Sequence, residues 1–94
     1  MSVTGTAVIQ NEAGIHCRPS AHIIKSMAGS PCELRIQHDE EESDLSSMLS
    51  LMMLALACGT EVQVEASGPG EAEELAKLIG LLETHYDFPP KEDS

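Results

Sequence analysis

Three stretches of this chain alternate apolar and polar residues with a period of two, and each leads into a stretch of helical spacing. Val3, Gly5, Ala7 and Ile9 alternate with Thr4, Thr6 and Val8; Cys32, Leu34 and Ile36 with Glu33, Arg35 and Gln37; Val62, Val64 and Ala66 with Glu61, Gln63 and Glu65. Successive side chains of a strand point to opposite faces, so these are predicted strands with one apolar face each. Ile23, Ile24, Met27 and Ala28 recur at helical spacing until Gly29-Ser30-Pro31 stops them. Met48 to Cys58 is Met, Leu and Ala with one Ser and no β-branched residue, which predicts a second helix capped by Asp44, Ser46 or Ser47 and closed by Gly59. A third helix is predicted from Glu71, with acids in its first turn and an apolar stripe of Ala72, Leu75, Leu78, Ile79 and Leu82. His38 to Asp44 is acidic and poor in strand formers, so any strand there is short and polar. The order is β-α-β-(β)-α-β-α, an α+β plan with helices laid on one face of an antiparallel sheet.

With 94 residues the chain has room for one domain. The expected domain covers residues 1–85, and Tyr86 to Ser94, with Pro89-Pro90, reads as a flexible tail. Five Lys and Arg against 16 Asp and Glu leave a formal charge of −11. Such a surface repels nucleic acid and anionic lipid. One Tyr, one Phe and no Trp leave little to stack on bases or sugars. The longest apolar run, Leu51 to Cys58, is eight residues and too short to span a bilayer. No basic region precedes an apolar stretch at the N-terminus, so no secretory signal is expected. Three cysteines form no disulfide framework, and the expected compartment is a reducing cytoplasm.

The stretch with most chemistry is Gly14-Ile15-His16-Cys17-Arg18-Pro19-Ser20. With Cys17 as first helical residue, His16 is the N-cap, and Pro19 falls in the first turn, where a missing N–H costs nothing. The backbone N–H groups of Cys17 and Arg18 then converge beside the imidazole and, with the positive helix end, make a small anion site. A neutral imidazole there is a nucleophile, and a phosphoryl group placed on it would meet those donors and the Arg18 guanidinium. A loop histidine that caps a helix and does nothing more fits the same residues.

Gly-Ile-His-Cys-Arg-Pro-Ser resembles the active-site signature of HPr, the histidine-containing phosphocarrier of the bacterial phosphotransferase system. The likeness extends to Asp44-Leu45-Ser46-Ser47-Met48-Leu49-Ser50-Leu51-Met52, similar to the family's regulatory-serine segment, and to Gly59-Thr60-Glu61-Val62 and Ala66-Ser67-Gly68, similar to its last strand and following turn. It implies an open-faced β-sandwich, a four-stranded antiparallel sheet with three helices on one face. It implies that His16 accepts a phosphoryl group from phosphorylated enzyme I, ultimately from phosphoenolpyruvate, and passes it to a sugar-specific enzyme IIA or equivalent acceptor. Arg18 would balance charge; Met48, Leu49 and Met52, with Lys25, would form the docking surface. Ser47 would be a regulatory phosphorylation site wherever the cell has a matching serine kinase and phosphorylase. The implied protein is a monomeric carrier acting with partner enzymes, without cofactor, nucleic acid or membrane insertion. Departures from the family pattern are Cys17 for a small residue, Ser46 for Lys, Ser50 and Ala55 for glycines, and His38-Asp39-Glu40-Glu41-Glu42-Ser43 where the second hairpin is often turned at Asn-Gly.

Other readings compete. An acyl or peptidyl carrier is also small and acidic, but its motif is Asp-Ser-Leu where this chain has Asp44-Leu45-Ser46, and it lacks strands. A purely regulatory paralogue typically loses the histidine that is present here as His16. His22, His38, Cys17 and Cys32 show no Cys-x2-Cys hook, so no metal site is expected.

Overall fold

The computed structural model describes residues 2–12, 14–15, 17–45, 48–54 and 56–84, with the backbone alone at 17, 48 and 49. The elements run β1 (Ser2–Val8), α1 (Cys17–Met27), β2 (Glu33–His38), β3 (Glu41–Ser43), α2 (Met48–Met52), β4 (Glu61–Ser67) and α3 (Glu71–Leu82). The strands form one antiparallel sheet in the order β1-β4-β2-β3. Sheet and helices match the expected open-faced arrangement.

Alternation becomes packing directly. Ala7, Leu34, Ile36, Val62, Val64 and Ala66 are buried, while Thr4, Thr6, Glu33, Arg35, Gln37, Glu61 and Gln63 stay exposed. Onto the apolar face come Ile23 and Met27 of α1, Leu51 of α2 and Leu78 and Leu82 of α3, all buried. β1 passes close beneath α3, because Gly5 lacks the Cβ that would lie 3.0 Å from the Ile79 Cδ1. The polar third strand is a three-residue edge pairing Ile36 with Ser43 and His38 with Glu41.

Three expectations need correction. The second helix ends at Met52 instead of running to Cys58. Leu51, Leu54 and Leu56 are all buried, and at about 100° per residue a continuing helix would turn Leu56 to roughly the opposite side from Leu51. The chain therefore unwinds after one turn, and Gly59, with φ 89°, is no helix cap: its N–H donates to the Ile9 carbonyl at 2.7 Å ahead of β4. Ala72 is exposed at the rim of the α3 stripe, and Leu81 packs against the core instead. Ala28 lies beyond the end of α1 and is exposed.

Candidate phosphoryl site

The approach to α1 is held from several sides. Asn11 is fully buried, and its side-chain amide donates to the Gly14 carbonyl at 2.8 Å. The Gly14 N–H returns to the Asn11 carbonyl at 2.8 Å, closing a tight turn. Gly14 has φ 77°, and an added Cβ would come within 2.4 Å of the Leu56 carbonyl oxygen, so only glycine fits this backbone. The next residue, Ile15, is buried and its N–H donates to that same Leu56 oxygen at 2.8 Å. The unwound segment after α2 thus fixes the entry to α1.

Helix α1 opens at Cys17, as its sequence predicts. His16 itself lies outside the described residues, between the anchored Ile15 and this first helical residue. Donors at a helix start lie upstream of the first i→i−4 bond. Pro19, buried in the first turn, contributes none, so the backbone donors there belong to Cys17 and Arg18. No acidic residue occupies that turn, so nothing on the helix itself competes with an incoming anion for its positive end. Pro19, Ser20, Ile23 and Met27 face the core, and Arg18, Ala21, His22 and Lys25 face outward. Arg18, His22 and Lys25 follow i, i+4, i+7 spacing, so they line one exposed face, with Lys25 in the last turn. Ser20 is fully buried and its Oγ has no hydrogen-bond partner among the described residues.

Helix α2 packs against α1. Met52 is half-buried, Leu51 is core, and Met53, just past the helix, is 65% exposed. The side chains of Met48 and Leu49 lie outside the described residues, as do Ser46 and Ser47. Sequence reasoning left the exposed Met53 out of the expected docking residues, because a run of Met and Leu has no period to separate core from surface. It also missed the anchor made by Asn11, Gly14 and Leu56. Ser50, where the family has glycine, has a structural use: its Oγ lies 2.8 Å from the Ser43 Oγ, and Ser43 also accepts the Leu45 N–H at 3.1 Å. These bonds tie α2 to the sheet edge.

The Cys32 thiol is not placed as a nucleophile. Burial, Glu74 and Glu71 push the Cys32 thiol above its ordinary pKa, against a smaller opposing effect from Ser30, and its Sγ donates to the Pro69 carbonyl at 3.1 Å. The Cys17 side chain lies outside the described residues, and Cys58 is exposed. Among the described residues no three His, Cys, Asp or Glu side chains converge as metal ligands, and no helix is long and apolar enough to cross a membrane.

This geometry has close relatives. A family model described as the PTS HPr component phosphorylation site matches residues 3–84. The phosphocarrier protein NPr of Escherichia coli K12 is 38% identical over 88 residues, covering 93% of this chain and 98% of that protein. The phosphocarrier protein HPr of Pseudomonas aeruginosa is 31% identical over 80 residues, covering 84% and 89% respectively. Among solved structures, HPr of Bacillus anthracis superposes with a TM-score of 0.82 at 20% identity, covering 87% of this chain and 98% of that one. At that identity it speaks for the fold alone. With the helix-start motif, the sheet order and a family match across nearly every described residue in agreement, the chain belongs to the HPr family of phosphotransferase-system phosphocarriers.

Proposed function

We propose that this chain carries a phosphoryl group on His16, taken from phosphorylated enzyme I and handed to an NPr-type acceptor protein. The observation that carries the reading is the start of α1. Ile15 is bonded to the Leu56 carbonyl, the helix begins at Cys17, and no acid occupies its first turn. A phosphoryl group on the histidine between them meets the backbone N–H groups of Cys17 and Arg18 and the positive end of the helix. The Arg18 guanidinium offsets its charge. The bond formed is N–P on His16, and the bond broken is the N–P bond of the donor phosphohistidine. Transfer onward reverses these roles, so the group moves without hydrolysis.

The acceptor class follows from the relatives. The NPr proteins of Escherichia coli and Klebsiella oxytoca are 38% and 34% identical to this chain, whereas the HPr protein of Pseudomonas aeruginosa is 31% identical and that of Treponema pallidum 26%. An NPr-type branch is therefore better supported than a sugar-specific enzyme IIA. Docking combines the Arg18–Lys25 face of α1 with Met52 and Met53, and with Met48 and Leu49 ahead of them in α2. Ser47, immediately before α2, is the candidate for regulatory phosphorylation, because a phosphate there would place roughly −1.5 to −2 charges beside an apolar docking surface.

The test is incubation with phosphoenolpyruvate and purified enzyme I, followed by intact-mass measurement. One acid-labile phosphoryl group is expected, absent in His16→Ala; normal labelling of His16→Ala would overturn the assignment. Arg18→Ala should slow transfer more than Lys25→Ala, and equal effects would mean simple charge steering. Faster delivery to a sugar-specific enzyme IIA than to the acceptor of an NPr protein would move the chain to the sugar branch.

A further inference from the structure

The sheet ends in β3 on one side and β1 on the other, and the two edges are finished differently. β3 is three residues long and carries the exposed Glu41 and Glu42, charges that discourage pairing with another strand. β1 is seven residues long, and no charged residue occurs from residue 2 to residue 11 of a chain whose net charge is −11. Which of its groups face outward follows from the register. The Ile9 N–H donates to the Thr60 carbonyl and the Ile9 carbonyl accepts from the Gly59 N–H, so Ile9 turns its backbone groups toward β4. Alternate residues do the same, which turns Val3, Gly5 and Ala7 toward β4 and Ser2, Thr4, Thr6 and Val8 away from it. The outward Val8 N–H donates to the Glu83 carboxylate at 2.9 Å. Among the described residues no strand pairs with Ser2, Thr4 or Thr6 on that side.

Helix α3 overhangs this edge with a flank of matching character. Ala72, Ala76, Ile79 and Glu83 follow i, i+4, i+7 and i+11 spacing and share one face. Ile79 lies over Gly5 of β1, and Glu83 reaches past that strand to the Val8 N–H, so the face looks outward over β1. Ala72 and Ala76 are exposed and small, and the flank carries no charge until Glu83. Strand edge and helix flank together form a neutral strip on a strongly acidic molecule.

The geometry points to this strip as the surface on which a second copy of the chain docks, β1 antiparallel to β1 across a two-fold axis. An isologous contact sets a patch against itself, so any charged part of this surface would meet its own charge. The neutral strip escapes that repulsion, which is what selects a second copy as the occupant. One register uses every outward donor and keeps the Val8–Glu83 bond: Thr4 opposite Thr4, and Ser2 opposite Thr6 of the second copy. Moving the axis to Gly5 sets Val8 into the ladder against Glu83, and moving it to Val3 leaves Thr6 unpaired. Thr4 and Thr6 then meet hydroxyl residues on the open face, a favourable cross-strand match. α3 packs on both β1 and β4, so strands about 4.8 Å apart put the two α3 axes about 10 Å apart across the two-fold, the separation of packed helices. The small side chains of Ala72 and Ala76 leave room for that approach. The sequence resemblance implies a monomer; this contact adds reversible self-association, held weak by the charge on the rest of each copy. β1 leads on to the turn at Asn11 and Gly14, so the antiparallel pair carries its two helix starts at opposite ends, both uncovered.

The test is sedimentation equilibrium and amide exchange of the full ¹⁵N-labelled chain, from about 20 µM to about 1 mM in 0.5 M NaCl. A dimer fraction that grows with concentration is expected, together with protection of the Thr4 and Thr6 amides at the high concentration only. Lowering NaCl to 20 mM should weaken association about ten-fold, because the two acidic copies are then less screened. Thr4→Pro removes an outward N–H that the β1–β4 ladder does not use, so the sheet is kept and association should fall at least ten-fold. Ala76→Glu sets like charges near the axis from an exposed helix position and should weaken association as much by a route independent of strand pairing. Unchanged β4 amide shifts confirm that each variant is folded, and if Thr4→Pro is not, Ala76→Glu decides. A chain that stays monomeric at 1 mM would overturn the proposal. So would Thr4 and Thr6 amides equally protected at 20 µM, which would mean that the chain covers its own edge, or self-association indifferent to both substitutions.

Discussion

Helices α2 and α3 cover the same sheet by different means. α3 is 12 residues long, with a clear apolar stripe and three acids in its first turn, so its sequence already specifies a helix. α2 is five residues long, has no acid in its first turn, and is followed by a segment whose leucines are buried without being helical. A single turn is not stable alone, because nucleation costs more than so few bonds return. What holds α2 is tertiary: Leu51 in the core, packing on α1, and the bonds linking Ser50, Ser43 and Leu45. The docking surface proposed for transfer partners therefore lies on an element whose shape depends on its neighbours. α3, whose own sequence pattern specifies a helix, serves as scaffold.

The most severe way to break this comparison is at the joint between the unwound segment and the start of α1. Gly14→Ala would force a Cβ to within 2.4 Å of the Leu56 oxygen at a φ of 77°. We expect a loss of roughly 2–5 kcal/mol, from left-handed strain and overpacking together. Chemical denaturation measures it, and a loss under about 1 kcal/mol would show that the Leu56 segment yields easily. Next come Leu51→Ala and Leu78→Ala, each truncating a fully buried side chain for roughly 2–5 kcal/mol. Hydrogen exchange separates them. Leu51→Ala should strip protection from α2 while α3 stays protected, whereas Leu78→Ala should lower protection across the sheet and α3 together. Identical exchange patterns would mean that α2 and α3 belong to one cooperative unit.

Ser43→Ala acts on the tether alone. It removes the acceptor of the Leu45 N–H and the partner of the Ser50 hydroxyl. A loss of about 1–2 kcal/mol is expected from these two bonds. It should appear as faster exchange in α2 and slower phosphoryl transfer from enzyme I, with α3 unaffected. A Ser43→Ala chain with native exchange in α2 would leave Leu51 and the packing on α1 as the restraints.

The contrast also explains what could be read from sequence. The strands were legible because Val62, Val64 and Ala66 or Leu34 and Ile36 alternate with charged or amide residues, and a one-sided sheet needs no more than that. α3 was legible for the same reason at period 3.6. The run Met48 to Cys58 has no polar face, so composition favoured helix while nothing marked its end. That end is set by Leu56, which turns inward to the core and to the Ile15 N–H, a contact between segments some 40 residues apart. At the candidate phosphoryl site the local pattern sufficed for the helix start at Cys17 and for Pro19 in its first turn, since both are set by neighbours in sequence. The buried Asn11 and the Leu56 anchor depend on long-range contact and left no local trace beyond a turn signal.

The smallest effect tests how far the helical preference of its own sequence sets the shape of α3. Gly80 sits inside α3, is exposed, lacks a positive φ, and would place a Cβ with no atom within 4 Å. Its backbone is already one that alanine adopts freely, so Gly80→Ala adds no clash and removes only the freedom glycine has when unfolded. The expected gain is about 0.5–1 kcal/mol, the usual helix-interior difference between the two residues. That gain should appear in thermal or denaturant unfolding without any change in the rate of phosphoryl transfer, because α3 carries none of the proposed site. Gly5→Ala is the opposing control: its Cβ would lie 3.0 Å from the Ile79 Cδ1 and 3.4 Å from the Leu75 Cδ2, so these side-chain ends must give way, and a loss of about 1 kcal/mol is expected. A neutral or destabilising Gly80→Ala would mean that α3, like α2, is held in shape by its contacts and not by its own helical preference.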